Sequence, residues 1–308
     1  MAAPELDPTT MPDPLAAHAW RPAVAGVREV FHARFPDHAY PPHTHSVWTL
    51  FVVDDGAVRY DLEGRNHVAA PTMLSVLPPH LVHDGRPATG DGYTMRVLYL
   101  EPDVFGEELV GPAVDRPIVT IGGLGARLDR LHSALECRDD ALEAEELLGS
   151  LVTDLRAALL GGSGPGRVPG GIEPVRVVPG DRLGAPTDRP WGELAEALRA
   201  HLEANLAEPV TIAAAAVELG IEPTRLARAF AATFGLPPHA WVTSRRLELA
   251  RGRILDGASL ADVAAEAGFV DQAHLTRRFR QWFGTTPAAL RGRGRSGSAG
   301  RGRDRLAG

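Results

Sequence analysis

The chain has no lysine, so all 32 of its cationic side chains are arginines, set against 39 acids for a formal net charge of −7. It has one cysteine, Cys137, which excludes an intramolecular disulfide framework and any cysteine-rich zinc site and suits a reducing compartment. Cys137 lies in the acidic stretch LHSALECRDDALEAEE, without the basic neighbours that make a thiolate, and reads as structural rather than nucleophilic. Long apolar runs are also missing. The longest strongly apolar one before the C-terminal half, Val47 to Val53, is far short of the roughly 20 residues that cross a bilayer as a helix. The opening residues, MAAPELDPTTMPDP, carry acids and prolines where a signal peptide needs basic and then apolar residues. The expectation is a soluble, cytoplasmic protein with no membrane partner.

What is present is unevenly distributed. Residues 1–160 carry 24 acids against 12 arginines, residues 161–190 carry 3 against 4, and residues 191–308 carry 12 against 16. Only the C-terminal part can attract a polyanion. At 308 residues the length suits two domains, and GGSGPGRVPGGIEPVRVVPGDRLGAPTDRP, residues 161–190, is too rich in glycine and proline for a helix or core strand and reads as the linker. Upstream, residues 23–110 alternate short apolar runs with turn signals, as in HTHSVWTLFVV, AVRYDLE, TMLSVLPP and YTMRVLYL, which predicts an antiparallel barrel or sandwich. Residues 1–22 read as a flexible N-terminus. After the β region, Leu128, Leu131, Leu135, Leu147, Leu151, Leu155 and Leu159 fall at helical spacing, with a break near Arg138 to Asp140. That predicts a helix pair, either a cover for the β domain or a dimer interface. The tail, residues 292–308, is arginine- and glycine-rich and too poor in apolar residues to fold.

An internal repeat carries the strongest signal. TIAAAAVELGIEPTRLARAFAATFGLPP matches SLADVAAEAGFVDQAHLTRRFRQWFGTTP at an offset of 48, becoming 49 after one insertion. Thr211 and Ser259 are N-cap types, and Ser259 with Asp262 has the spacing of a capping box. Ile212, Ala215, Ala216 and Leu219 form an apolar face repeated by Leu260, Val263, Ala264 and Ala267. Each short helix stops at a glycine, Gly220 or Gly268, and each second helix is anchored by Leu226, Phe230 and Phe234 or by Leu275, Phe279 and Phe283. Short helix, glycine turn, second helix is the helix-turn-helix pattern. On the opposite face lie Thr224, Arg225, Ala227 and Arg228 in one copy and Gln272, Ala273, His274, Thr276 and Arg277 in the other. Arginine pairs with guanine, glutamine with adenine, and the threonine methyl with thymine, so these positions are the candidate base readers. Arg278 and Arg280 are assigned to phosphates or solvent. Between the copies, His239 to Leu255 predicts one helix of roughly 25 Å, a connector suited to two recognition helices in adjacent grooves about 34 Å apart.

These motifs, and LADVAAEAGFVDQAHLTRRFRQWFGTTPAALR above all, make residues 191–291 resemble the DNA-binding domain of the AraC/XylS family of transcription regulators. The resemblance implies double-stranded promoter DNA, RNA polymerase, a small-molecule effector and a second copy of the chain as partners. It also implies an N-terminal cupin-like effector domain, and YPPHTHSVWTLFVVDDG and GRNHVAAPTMLSVLPPHLVHDG resemble the two cupin motifs.

A strand starting near His43 would place His43, His45, Val47, Thr49 and Phe51 on one face. In metal-binding cupins that face carries two histidines and a glutamate, joined by a histidine of the second motif. Here Thr49 stands at the glutamate position and His83 at the last. The expectation is therefore no cofactor, with zinc or iron on His43, His45 and His83 as the alternative. The candidate effector residues are His43, His45, Trp48, Tyr60, His80 and His83, although Trp48 has the opposite strand parity to His43. The predicted architecture is a two-domain α+β chain: a cupin-like β-barrel with a helix pair over residues 23–160, then an all-α domain of two helix-turn-helix units joined by a long helix. The function that follows is an effector-controlled, sequence-specific transcription regulator and not an enzyme. Two rivals are a metal-dependent cupin enzyme with a DNA-binding appendage and a DNA-binding protein that senses nothing.

Overall fold

A computed structural model describes residues 17–161, 191–209 and 211–291. The predicted linker, apart from Gly161, and the predicted tail lie outside the described residues. The N-terminal domain contains β1 (Ala17–Trp20), β2 (Val27–Phe35), β3 (Tyr40–His43), β4 (Trp48–Gly56), β5 (Val58–Leu62), β6 (Arg65–Ala69), β7 (Leu74–Leu77), β8 (His83–Pro87) and β9 (Tyr93–Leu100). A short helix, α1 (Val110–Asp115), and a last strand, β10 (Ile118–Val119), lead into α2 (Leu124–Glu136) and α3 (Ala141–Leu160). Pairing is antiparallel throughout, in a six-stranded sheet ordered β1-β2-β9-β4-β7-β10 and a four-stranded sheet ordered β3-β8-β5-β6. The expected barrel is therefore two facing sheets rather than a closed ring. Residues 17–20, expected to be flexible, form β1 instead, because Ala17 and Ala19 are small enough to be buried against the rest of the core.

Strand alternation divides each β4 residue between two cores. Phe51 faces the four-stranded sheet and meets Tyr60 at 5.4 Å between ring centroids, while Trp48, Leu50 and Val52 face the helices. The helix pair breaks at Arg138–Asp140, and Leu128, Leu131, Leu135, Leu148, Leu151, Leu155 and Leu159 are buried over the outer face of the six-stranded sheet. Those leucines are accounted for as a cover for the sheet.

The C-terminal domain is all-helical: α4 (Trp191–Ala204), α5 (Ile212–Leu219), α6 (Pro223–Phe234), α7 (Pro238–Leu255), α8 (Leu260–Glu266), α9 (Gln272–Phe283) and α10 (Pro287–Arg291). The repeated start signals act as their chemistry requires. Thr211 Oγ1 accepts from the Ala214 amide at 3.2 Å and Ser259 Oγ from the Asp262 amide at 3.1 Å. Gly220 and Gly268 take the left-handed conformation that ends each first helix, at φ 65° and 70°. The connector α7 has 18 residues, about 27 Å of axis.

The two units are held differently. The first has a core of its own with α4, built on Leu198, Leu226 and Phe230. The second, with Leu275, Phe279 and Phe283, belongs to one continuous core with the interior of the β domain.

Candidate functional site

Two surfaces carry chemistry. The first is a cavity of about 50 Å³ between the sheets, lined among others by His43, His45, Thr49, Tyr60 and His83 and closed by Phe283 from α9. His43 ends β3 and His83 begins β8, and the two residues pair across the ladder. Their ring centroids are 4.4 Å apart, and His45 lies 4.8 Å from His43 and 5.2 Å from His83. Burial pushes all three imidazoles down, His83 to about 4 and the other two well below their usual value, so each is neutral at neutral pH. Tyr60 donates its hydroxyl to Ser75 Oγ at 3.2 Å. Thr49 Oγ1 is buried in the same cavity without a hydrogen-bond partner.

Two predicted pocket residues are elsewhere. Trp48 packs under the helices against Phe105 at 5.2 Å and donates its indole N–H to the Pro102 carbonyl, as the opposite strand parity requires. His80 does not line the cavity. Its left-handed backbone, at φ 64°, donates an amide to the His45 carbonyl at 2.7 Å, and its ring feels the charges of Arg245 and Glu248.

The predicted strand from His43 through Phe51 is also interrupted, because residues 44–47 are held by the connector helix. Ser244 Oγ accepts from the Thr44 amide at 3.3 Å and donates to the Thr44 carbonyl at 2.9 Å, and Glu248 Oε1 accepts from the Ser46 amide at 3.0 Å. One turn on, Arg251 pairs with Glu29 of β2, its Nε 2.6 Å from Oε1, with both side chains 7% exposed. The guanidinium also lies over the rings of Phe31, Tyr99 and Phe283 at 4.5, 5.1 and 4.8 Å. Burial works against this charge, yet Glu29 and Tyr99 more than offset it and raise the Arg251 pKa. Ser244, Glu248 and Arg251 were absent from the predicted site. Their spacing of i, i+4, i+7 puts polar side chains on one stripe of a helix that also buries Trp241 and Leu247, and that stripe was the available signal.

The second surface is the outer face of the recognition helices. In α6, Thr224 and Arg228 are exposed and Arg225 and Ala227 half-buried. In α9, Gln272, Ala273 and Arg277 are exposed and, with Thr276 and Arg280, line an open groove that His38 of the β domain also borders. Arg280 borders the same groove as the predicted readers, whereas His274 turns aside to pack edge-on against Phe269 at 5.4 Å. Carboxylates cap both helices: Glu222 accepts from the Thr224 and Arg225 amides, and Asp271 from the His274 amide at 2.6 Å. Those bonds hold the Glu222 carboxyl below the usual carboxylate range.

Residues 26–152 match the model of the AraC-like ligand binding domain, and residues 215–293 match a helix-turn-helix domain. The chain thus carries an AraC-like ligand-binding domain followed by a helix-turn-helix domain. It is 34% identical over 97 residues to the virulence regulon transcriptional activator VirF of Yersinia enterocolitica, a match covering 31% of this chain and 36% of VirF. It thus spans little more than a third of that relative's length. It is 23% identical over 243 residues to the HTH-type transcriptional regulator YbfI of Bacillus subtilis, covering 77% of this chain and 81% of YbfI. The crystal structure of ToxT from Vibrio cholerae superposes with a TM-score of 0.50 at 9% identity over 91% of this chain and 99% of that one, a likeness of fold. Among the described residues no helix is long and apolar enough to cross a membrane.

Proposed function

We propose that this chain is a sequence-specific transcription regulator of the AraC family whose β domain binds a small effector and thereby alters how the helical domain engages promoter DNA. The observation that supports the reading is the pair of recognition helices, α6 and α9, each with an exposed polar and arginine-bearing face opposite a buried apolar one, joined by a single 18-residue helix. Thr224, Arg225, Ala227 and Arg228 read one groove, and Gln272, Ala273, Thr276 and Arg277 the next, with Arg280 on a flanking phosphate. The effector occupies the cavity beside His43, His45, Tyr60 and His83. On this reading the chain is not an enzyme and works in the cytoplasm as a homodimer alongside RNA polymerase.

The test is a competition binding assay at physiological salt, with DNA from upstream of the protein's own gene against random duplex. The reading predicts a specificity ratio of about a thousandfold or more. Equal affinity for the two would sink it.

A further inference from the structure

We propose that the helical domain holds a second small-molecule site, a pocket for a small carboxylate with an apolar body, in which the Arg246 guanidinium receives the acid and Leu202, Ile212 and Val242 receive the body. This goes beyond the regulator reading, because the pocket shares no lining residue with the cavity assigned there to the effector.

The pocket follows from the way α7 divides its sides. Ser244, Glu248 and Arg251 grip the β domain, and Arg246, two positions on from Ser244, stands about 200° round the helix from it. On that far side a cavity of about 260 Å³ opens between α7, the end of α4 and the start of α5. Leu202, Ile212 and Val242 are among its apolar walls, and Arg246, Thr243 and His239 supply its polar ones. The volume is just under the roughly 300–1,000 Å³ of pockets that take drug-sized ligands, so it suits a smaller body, a single ring or a short chain.

Charge identifies the head of the ligand. Arg28, Arg96, Arg245 and Arg251 are half-buried or buried, and each meets a carboxylate, from Glu101, Asp54, Glu203 and Glu29 in turn. Arg246 is half-buried too, but its Nε and Nη2 donate to the Leu206 and Glu208 carbonyls, both at 2.7 Å, and it meets no carboxylate among the described residues. A carbonyl brings no counter-charge. Burial therefore pulls the Arg246 pKa down, where carboxylates raise those of the other four. A guanidinium has five N–H donors, so both on Nη1 and one on Nη2 are without a partner among the described residues. A carboxylate accepts two such donors side by side. Thr243 spends its hydroxyl proton on the His239 carbonyl at 2.8 Å and offers no rival donor.

The walls decide which anion fits. A phosphate dianion would bring two charges to one guanidinium and set a strongly hydrated ion against three apolar side chains. A monocarboxylate brings one charge, and its body covers those side chains. The site also stands at a joint. A Cβ built on Gly268 would lie 3.0 Å from Arg246 Cζ, so the guanidinium that holds the acid rests against the turn of the second helix-turn-helix unit.

The experiment titrates the full chain with benzoate by isothermal calorimetry at physiological salt, with benzamide and inorganic phosphate as comparison probes. Saturable binding of one benzoate per chain is expected, with the other two at least about tenfold weaker. R246Q should weaken benzoate about tenfold or more, because it removes the charge-assisted pair. V242F keeps Arg246 but fills the cavity and should do the same, and it carries the test if circular dichroism shows that R246Q has lost its fold. R253Q, on an exposed arginine of α7 that pairs with Glu266, should bind benzoate like the unmodified chain. Methyl NMR of isoleucine-labelled protein places the ligand without any variant: the Ile212 resonance should shift, and that of Ile118, packed against the β-domain core, should not. No saturable benzoate binding, equal affinity for benzamide, tighter binding of phosphate, binding that survives R246Q and V242F, or a shift at Ile118 without one at Ile212 overturns the site.

Discussion

Replacing Glu29 by Gln should cost about 3 kcal/mol of stability, and the figure can be worked from the seam between the domains. Glu29 and Arg251 are each 7% exposed, and Arg251 takes its strongest contacts from that one carboxylate. Removing one partner of a buried pair leaves an uncompensated charge in a poor solvent and costs about 3–5 kcal/mol. The lower end applies because three aromatic faces, Phe31, Tyr99 and Phe283, remain within 4.5–5.1 Å of the guanidinium, and cation–π attraction persists without Glu29. The double variant E29Q/R251M removes the charge altogether and puts a flexible apolar side chain among those rings, so it should recover most of the loss. Urea unfolding followed by tryptophan fluorescence, with Trp282 buried at the seam, gives the four corners of the double-mutant cycle. A loss under about 1 kcal/mol for E29Q, or single-variant losses that simply add in the double variant, would refute the claim that this pair holds the domains together.

Other perturbations test other parts of the argument. R277A should weaken binding to the preferred DNA by roughly 1–3 kcal/mol and leave random-duplex affinity nearly unchanged; a uniform loss across sequences would make Arg277 a phosphate contact. Gly284 and Gly220 have φ of 67° and 65°, but a Cβ at 284 would lie 2.7 Å from Phe35 Cε1 and 2.8 Å from His38 Cγ whereas one at 220 meets nothing within 4 Å. G284A should therefore destabilise by more than the backbone strain that G220A shares, and equal Tm values would mean that the β domain does not press on α9. His32 Nε2 and His132 Nδ1 are 2.9 Å apart between β2 and α2, and burial, with the Arg96 charge adding to it in both cases, lowers them to about 4 and about 2. The unfolded chain binds these protons near pH 6.5 and the folded chain does not, so stability is full above pH 6.5 and falls as pH drops toward 4, by up to about 1.4 kcal/mol per pH unit per histidine. A Tm that is flat from pH 7 to 5 would contradict that.

The helix-turn-helix units were legible because their signals are local. Caps at Thr211 and Ser259, left-handed glycines at 220 and 268 and apolar spacing all act within a few residues, and the structure uses each where the pattern placed it. The convergence of His43 and His83 was legible from the motifs. What could not be read is set by distant partners. The strand expected across residues 43–51 is interrupted by hydrogen bonds from Ser244 and Glu248, some 200 positions away in the chain. His80 fell outside the cavity because its left-handed backbone spends its amide on His45, which neither periodicity nor composition encodes.

The departures within the repeat say which unit the β domain holds. Phe234 and Phe283 occupy equivalent positions, yet Phe234 is only partly buried in the first unit's core while Phe283 is 5% exposed and lines the histidine cavity. The preceding position is Thr233, exposed, in one copy and Trp282, 9% exposed and 6.0 Å from the His43 ring, in the other. The glycines that end the two recognition helices repeat the asymmetry: a Cβ at Gly235 would touch only Val82, at 3.1 Å, but one at Gly284 would collide with Phe35 and His38. The first unit has an exposed threonine where the second, at its contact with the β domain, has a buried tryptophan, and the first unit's core takes only the partly buried Val82 from the β domain. Phe283 of α9 lines the cavity directly, whereas α6 meets the β domain only through Val82 at its end and is joined to α9 by α7, whose Ser244, Glu248 and Arg251 grip the β domain. The sequence repeat implies two equal DNA-reading units, but the packing seats the second directly on the β domain and its cavity.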